Sequence, residues 1–149
     1  MPGLLEHRDV ALRAVSAACK LITPRRPHRF EMNEFRTHVV SAVGEAFNNI
    51  VLHGYAGRSD GVIEMEIRTD PDRITVELRD YGESFDLDAV ATPNLDLLPE
   101  SGLGIFIIRA FMSIRYRPGR PNVLTLSKIL PPASASESVP RGNPSEGDS

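Results

Sequence analysis

Val62-Ile63-Glu64-Met65-Glu66-Ile67-Arg68 and, a few residues on, Ile74-Thr75-Val76-Glu77-Leu78-Arg79 alternate apolar and polar side chains at every step. Period-two alternation is the pattern of a half-buried strand, because successive side chains point to opposite faces of a sheet. Asp70-Pro71-Asp72 lies between the two runs, so they read as a hairpin. Upstream the period is helical. Val10, Ala14, Ala17, Ala18 and Leu21 outline a first helix over residues 6–22, stopped at Thr23-Pro24 because proline disfavours helical geometry in the residue before it. A basic connection over residues 24–29 leads to a longer helix over 34–53, with Asn33 as its N-cap. Phe35, Val39, Ala42, Val43, Ala46, Phe47 and Ile50 form the apolar stripe of that helix. Residues 54–61 read as a loop. Downstream, residues 82–101 lack periodicity and form a long loop of the kind that serves as a lid or binding segment. A third helix is expected over 104–112, and strands over 114–117 and 122–129 turn at Pro118-Gly119. This order implies an α+β fold, a two-layer sandwich with a mostly antiparallel sheet and helices on one face.

With 149 residues, 41% hydrophobic and 25% charged, the chain fits one soluble domain that needs no staple. That domain is expected over residues 1–130. Residues 131–149, rich in proline and serine, cannot bury enough apolar surface to offset their ordering entropy, and read as a disordered tail. A net charge of −3 argues against direct nucleic-acid binding held by positive charge. The single cysteine, Cys19, excludes an internal disulfide and a multi-cysteine metal site and suits a reducing cytoplasm. His7, His28 and His38 share no metal-ligand spacing. Neither a secretion leader nor a membrane span is expected.

Three stations could carry chemistry. On the long helix Glu45, Asn49 and His53 are spaced four apart and form one polar stripe. A carboxylate and an amide one turn apart can act as a base and a hard-cation ligand around one bound group, although a solvated face gives the same pattern. Directly after a strand comes Asp80-Tyr81-Gly82. A strand-end carboxylate can accept from an exocyclic amine such as that of adenine, and the glycine permits close approach of a flat ligand; a plain turn also favours these residues. The third is Ser101-Gly102-Leu103-Gly104, a glycine-containing loop opening a helix whose N–H groups favour phosphate. It is neither a dinucleotide fingerprint nor a P-loop, since position 107 is Ile and no Gly-Lys-Ser/Thr follows.

Taken in order, these stations resemble the GHKL (Bergerat-fold) ATP-binding domain in its bacterial anti-sigma factor/serine kinase branch. The stretches that carry the resemblance are 45–55, Asp80 to Gly82, 102–109 and the final strand 122–128. The resemblance implies that Asn49 coordinates Mg²⁺ and that Glu45 is the general base. It implies that Asp80 receives the adenine amine above Gly82, and that Gly102, Leu103 and Gly104 present backbone N–H groups to the phosphates of ATP. Residues 83–101 would be the ATP lid. Arg109 could reach phosphate or support the lid through an ion pair. Ser84 stands where this branch often has Gly or Pro, Met112-Ser113-Ile114 replaces an acidic pair, and a first strand is reduced to residues 1–5 or missing.

The function implied is an ATP-dependent serine/threonine-protein kinase and anti-sigma switch in the cytoplasm. It would hold a sigma factor or another regulator, phosphorylate a STAS-domain antagonist, and dimerise as the branch does. The alternatives are a non-catalytic partner-switching module in which nucleotide is only structural, and slow ATP hydrolysis without a protein substrate. Arg25, Arg26 and Arg29, and separately Arg115, Arg117 and Arg120, are candidate partner patches or simply solvated charges.

Overall fold

The alternating runs form a hairpin in the computed structural model, which describes residues 7–22, 29–55, 61–84 and 101–131. Strands β1 (Ile63–Asp70) and β2 (Arg73–Asp80) pair antiparallel with Asp70 opposite Arg73, so Pro71 and Asp72 alone make the reversal. Strands β3 (Ser113–Arg117) and β4 (Asn122–Ile129) form a second antiparallel pair, and β4 also pairs with β2. The result is a four-stranded sheet in the order β1-β2-β4-β3. Helices α1 (Arg8–Ile22), α2 (Arg29–Asn49) and α3 (Ser101–Phe111) share one hydrophobic core with the sheet. The expected two-layer α+β sandwich is the fold the chain adopts.

Strand parity decides which residues enter that core. On β2 Ile74, Val76 and Leu78 are buried while Thr75 and Glu77 are only half-covered, and on β4 Leu124 and Leu126 repeat the pattern. From α2 come Phe35, Val39, Ala42, Val43, Ala46 and Phe47, and Ile50 follows directly after it, all seven buried as the sequence stripe anticipates. Truncating either phenylalanine to alanine would cost about 3–5 kcal/mol, so this stripe anchors the helix layer. The outer face of the sheet is polar. There Arg79 pairs with Glu66 and Glu77, and Arg68 pairs with the same two carboxylates.

Four local expectations are corrected. The face of α1 that packs inward is Ala11, Val15 and Cys19, whereas Val10 and Leu21 are 55% and 78% exposed. The two helices are also joined at Gly44 of α2, whose carbonyl accepts from Arg8 Nε of α1 at 3.4 Å. Asn33 is not an N-cap, because α2 already begins at Arg29 and buries Met32; Asn33 lies inside the helix, its Oδ1 accepting from Arg36. The α-helical geometry ends at Asn49 and passes into a π-helical turn over Ile50–Gly54, marked by Tyr55 N–H donating to the Ile50 carbonyl at 3.1 Å. Helix α3 starts at Ser101, so Gly102 and Gly104 belong to its first turn instead of to a preceding loop.

Residues 1–6, the 23–28 connection, most of the 54–61 loop, residues 85–100 of the long loop and residues 132–149 of the tail lie outside the described residues. Among the described residues no helix is long and apolar enough to cross a membrane.

Candidate functional site

Strand parity and the π-turn build one end of the site. Because β2 buries alternate residues, the position after Ile74, Val76 and Leu78 is Asp80, a carboxylate left only 2% exposed at the strand end. It pairs across the sheet with Asn122, the first residue of β4 and 0% exposed. Asp80 Oδ1 accepts from the Gly82 N–H at 3.0 Å and from Asn122 Nδ2 at 3.0 Å. The π-turn brings Gly54 against this strand end, and the Gly54 carbonyl accepts from the Glu83 N–H at 2.8 Å. A Cβ on Gly82 would lie 2.1 Å from the Gly54 oxygen, so the two backbones meet where only glycine fits. π-turns occur often at functional sites, and here the turn is what delivers Gly54.

Tyr55 fastens the same corner. Its buried phenol donates to the Val62 carbonyl and accepts from the Tyr81 N–H at 2.8 Å, tying the end of the π-turn to the start of β1 and the end of β2.

The other end lies one turn back along α2. There Glu45 and Asn49 face Gly104 in the first turn of α3: a Cβ on Gly104 would sit 3.1 Å from Glu45 Oε2 and 3.3 Å from Asn49 Oδ1. Asn49 is buried, and its Nδ2 has no hydrogen-bond partner among the described residues. A buried amide without a partner costs about 1–3 kcal/mol unless a ligand satisfies it. A carboxylate, an amide able to present its oxygen, and a helix N-terminus that favours negative charge form a donor set suited to a phosphate group with a hard divalent cation. The residues present therefore fit both groups.

Other candidates are placed differently. His53 is exposed and lies beyond the change of helical geometry after Asn49, so it does not continue the Glu45–Asn49 stripe. His38 stacks on Phe111 with ring centroids 4.2 Å apart, and among the described residues no group of three or more metal-ligating side chains occurs. Arg109 is exposed and follows Gly104 by five residues, about 140° around the helix, away from the side that Gly104 turns to Glu45. Met112 forms the whole link between α3 and β3, and Lys128 Nζ donates to the Phe111 carbonyl at 2.7 Å, closing the helix C-terminus. Cys19 is buried in the core, where desolvation pushes its thiol up to about 11 against a weaker opposing effect of Arg36. A cleft of about 430 Å³ on the outer sheet face is lined by Arg73 and by Arg115 and Arg117 of the second basic patch, and holds none of the candidate nucleotide-site residues.

Sequence reading missed Asn122 and Tyr55 as parts of the site. Parity held the signal for the first, since Asn122, Leu124 and Leu126 occupy alternate positions and the two leucines are plainly core.

These features define the class: a two-layer α+β ATPase domain of the GHKL type, with its polar residues gathered between the long helix and the sheet end. The chain belongs to the histidine kinase-like ATPase domain family, whose model matches residues 6–128. It is 39% identical over 80 residues to serine-protein kinase RsbW of Staphylococcus epidermidis, a match covering 48% of this chain and 50% of that protein. It is 35% identical over 78 residues to anti-sigma F factor of Clostridium botulinum (strain Eklund 17B / Type B), covering 50% and 54%. The chain thus spans about half the length of the curated relatives it matches. Among solved structures, the blue-light activated histidine kinase EL346 of Erythrobacter litoralis aligns with a TM-score of 0.54 at 17% identity, over 81% of this chain and 41% of that one. That last likeness concerns the fold alone.

Proposed function

We propose that the chain is an ATP-dependent serine/threonine-protein kinase and anti-sigma switch, phosphorylating a STAS-domain antagonist of a sigma factor. The observation that carries this reading is the convergence of Glu45 and the partnerless Asn49 amide on Gly104, at the start of a helix. The names of the relatives, a serine-protein kinase and an anti-sigma factor, supply the substrate and partner classes.

In this reading Asp80 accepts the adenine amine, with Gly82 beneath the ring, and the first turn of α3, with Gly102, Leu103 and Gly104, turns its N–H groups to the phosphates. Asn49 would hold Mg²⁺, which when bound offsets phosphate charge and retains waters as its other ligands. Glu45 takes the proton of the acceptor hydroxyl as that oxygen bonds to the γ-phosphorus. The bond from the γ-phosphorus to its bridging oxygen breaks, and ADP leaves with that electron pair. The new phosphate carries about −1.5 to −2 of charge and weakens docking of the antagonist, which completes the switch. Dimerisation and a cytoplasmic location belong to the same proposal.

The test follows a labelled γ-phosphate from ATP into a STAS-domain protein. Wild-type chain transfers label to a serine or threonine, and Glu45→Ala binds ATP but transfers none. Undiminished transfer by Glu45→Ala overturns the base assignment, and release of label only as free phosphate overturns the protein-kinase reading.

A further inference from the structure

The centre of the outer sheet face is hollow, because the two middle strands carry short side chains there. Thr75 of β2 and Thr125 and Ser127 of β4 form the floor, with Thr75 opposite Ser127 in the register. Longer side chains wall it in: Arg68 on β1, Arg73 on β2, and Arg115 and Arg117 on the edge strand β3. The hollow measures about 430 Å³ and lies apart from Glu45 and Asn49, on the face of the sheet turned away from the helices.

Charge around it is unbalanced. Among the described residues Glu77 alone brings a carboxylate to the lining, and Arg68 and Arg79 already hold it. Arg73, Arg115 and Arg117 are exposed, and none of them makes an ion pair among the described residues. Asp70 stands opposite Arg73 in the hairpin register without forming one. A chain of net charge −3 thus gathers three uncompensated guanidinium groups around one hollow.

The spacing selects the occupant. Arg115 and Arg117 are two residues apart on one strand, so they project from the same face about 7 Å apart. Side chains of an extended peptide recur at that same interval, so carboxylates at alternate positions meet one guanidinium each, in the paired hydrogen bonds that arginine makes to a carboxylate. Strand β2, which carries Arg73, lies two strand spacings from β3, about 10 Å, which leaves room for one extended chain between the walls. The floor hydroxyls both donate and accept, which suits the amide groups of such a chain. No aromatic side chain of the described residues lines the hollow, so it offers no platform for stacked bases. We propose that this hollow is a docking site for an extended acidic segment of a partner protein, with Asp or Glu at alternate positions.

The experiment follows the fluorescence anisotropy of a labelled, alternating Glu-Thr decapeptide as the full chain is added. The expected result is saturable binding that weakens as salt is raised, and that is lost for a Lys-Thr peptide. The double variant Arg115→Glu/Arg117→Glu sets repulsion in place of two attractive contacts and should weaken binding about tenfold or more. Arg13→Glu/Lys20→Glu makes the same change of net charge on the exposed face of α1 and should leave the affinity within about twofold. A second measurement needs no variant: in wild-type ¹⁵N spectra the peptide should move the backbone amide signals of Thr75, Thr125 and Ser127. Absence of peptide binding, equal losses in the two double variants, or unmoved floor signals under saturating peptide overturn the proposal. Two further outcomes overturn it by naming another occupant. Sedimentation showing a dimer that Arg115→Glu/Arg117→Glu dissociates assigns the face to a second copy of the chain. Displacement of the peptide by inorganic phosphate or by oligothymidylate, beyond that by chloride at the same ionic strength, assigns it to a small anion or a nucleic acid.

Discussion

Replacing Gly104 by alanine separates the work of the site from the stability of the fold. Gly104 lies in the first turn of α3, where alanine is the better helix former by about 0.5–1 kcal/mol. Against that gain, the new methyl would stand 3.1 Å from Glu45 Oε2 and 3.3–3.4 Å from the two ends of the Asn49 amide. Both neighbours are side-chain tips, able to move by a few tenths of an ångström. The two effects offset, and the ligand-free protein should unfold within about 1 kcal/mol of the wild type. Binding should not escape. The carboxylate and the amide must both turn from the space they share, and misplacing one charge-assisted contact, worth about 1.5–3 kcal/mol, weakens ATP binding roughly 10- to 100-fold. Denaturant unfolding without nucleotide and calorimetric titration with ATP and Mg²⁺ measure the two quantities on the same preparation. Wild-type affinity in Gly104→Ala would refute the placement of the phosphates beside this glycine. A loss of several kcal/mol in stability would show that the glycine serves packing instead.

Two further outcomes follow from the same geometry. Gly82→Ala sets its Cβ 2.1 Å from the Gly54 oxygen and 2.5 Å from the Gly54 carbonyl carbon, both backbone atoms, so the 2.8 Å bond from Glu83 to Gly54 must break; thermal melts should show a loss of about 2–3 kcal/mol, unlike Gly104→Ala. Cys19 supplies a pH dependence: burial pushes its thiol up from 9.0 to about 11, so between these values the unfolded chain gives up a proton that the folded chain keeps. Its contribution to stability is complete below pH 9 and declines as pH rises towards 11, and denaturant titrations at pH 8.5 and 10.5 should show the advantage of wild type over Cys19→Ala shrinking.

Much of this was legible because the deciding signals were periodic. Alternation through Ile74, Val76 and Leu78 announced β2 and its buried face, and the stripe from Phe35 to Ile50 announced α2 with the correct inward residues. In α1 two apolar stripes overlap, and hydrophobicity alone favours Val10 and Leu21. The face buried in the core is instead Ala11, Val15 and Cys19, which is a tertiary fact. The π-turn left no periodic trace, since it changes the winding after Asn49 without changing the composition. Glu45, Asn49, Asp80 and Gly82 were readable as polar or glycine positions in apolar surroundings. Asn122 was harder to see, because its importance lies in a cross-strand register with Asp80, 42 residues away in sequence.

The most direct test is a calorimetric titration of the chain with ATP, with and without Mg²⁺, beside the Asn49→Ala variant. Asn49 Nδ2 is buried without a partner among the described residues, so removing the side chain should cost the ligand-free fold little. The account predicts Mg²⁺-dependent binding in the wild type and its loss in a folded Asn49→Ala protein. Absence of ATP binding by the wild type both with and without Mg²⁺ would contradict it.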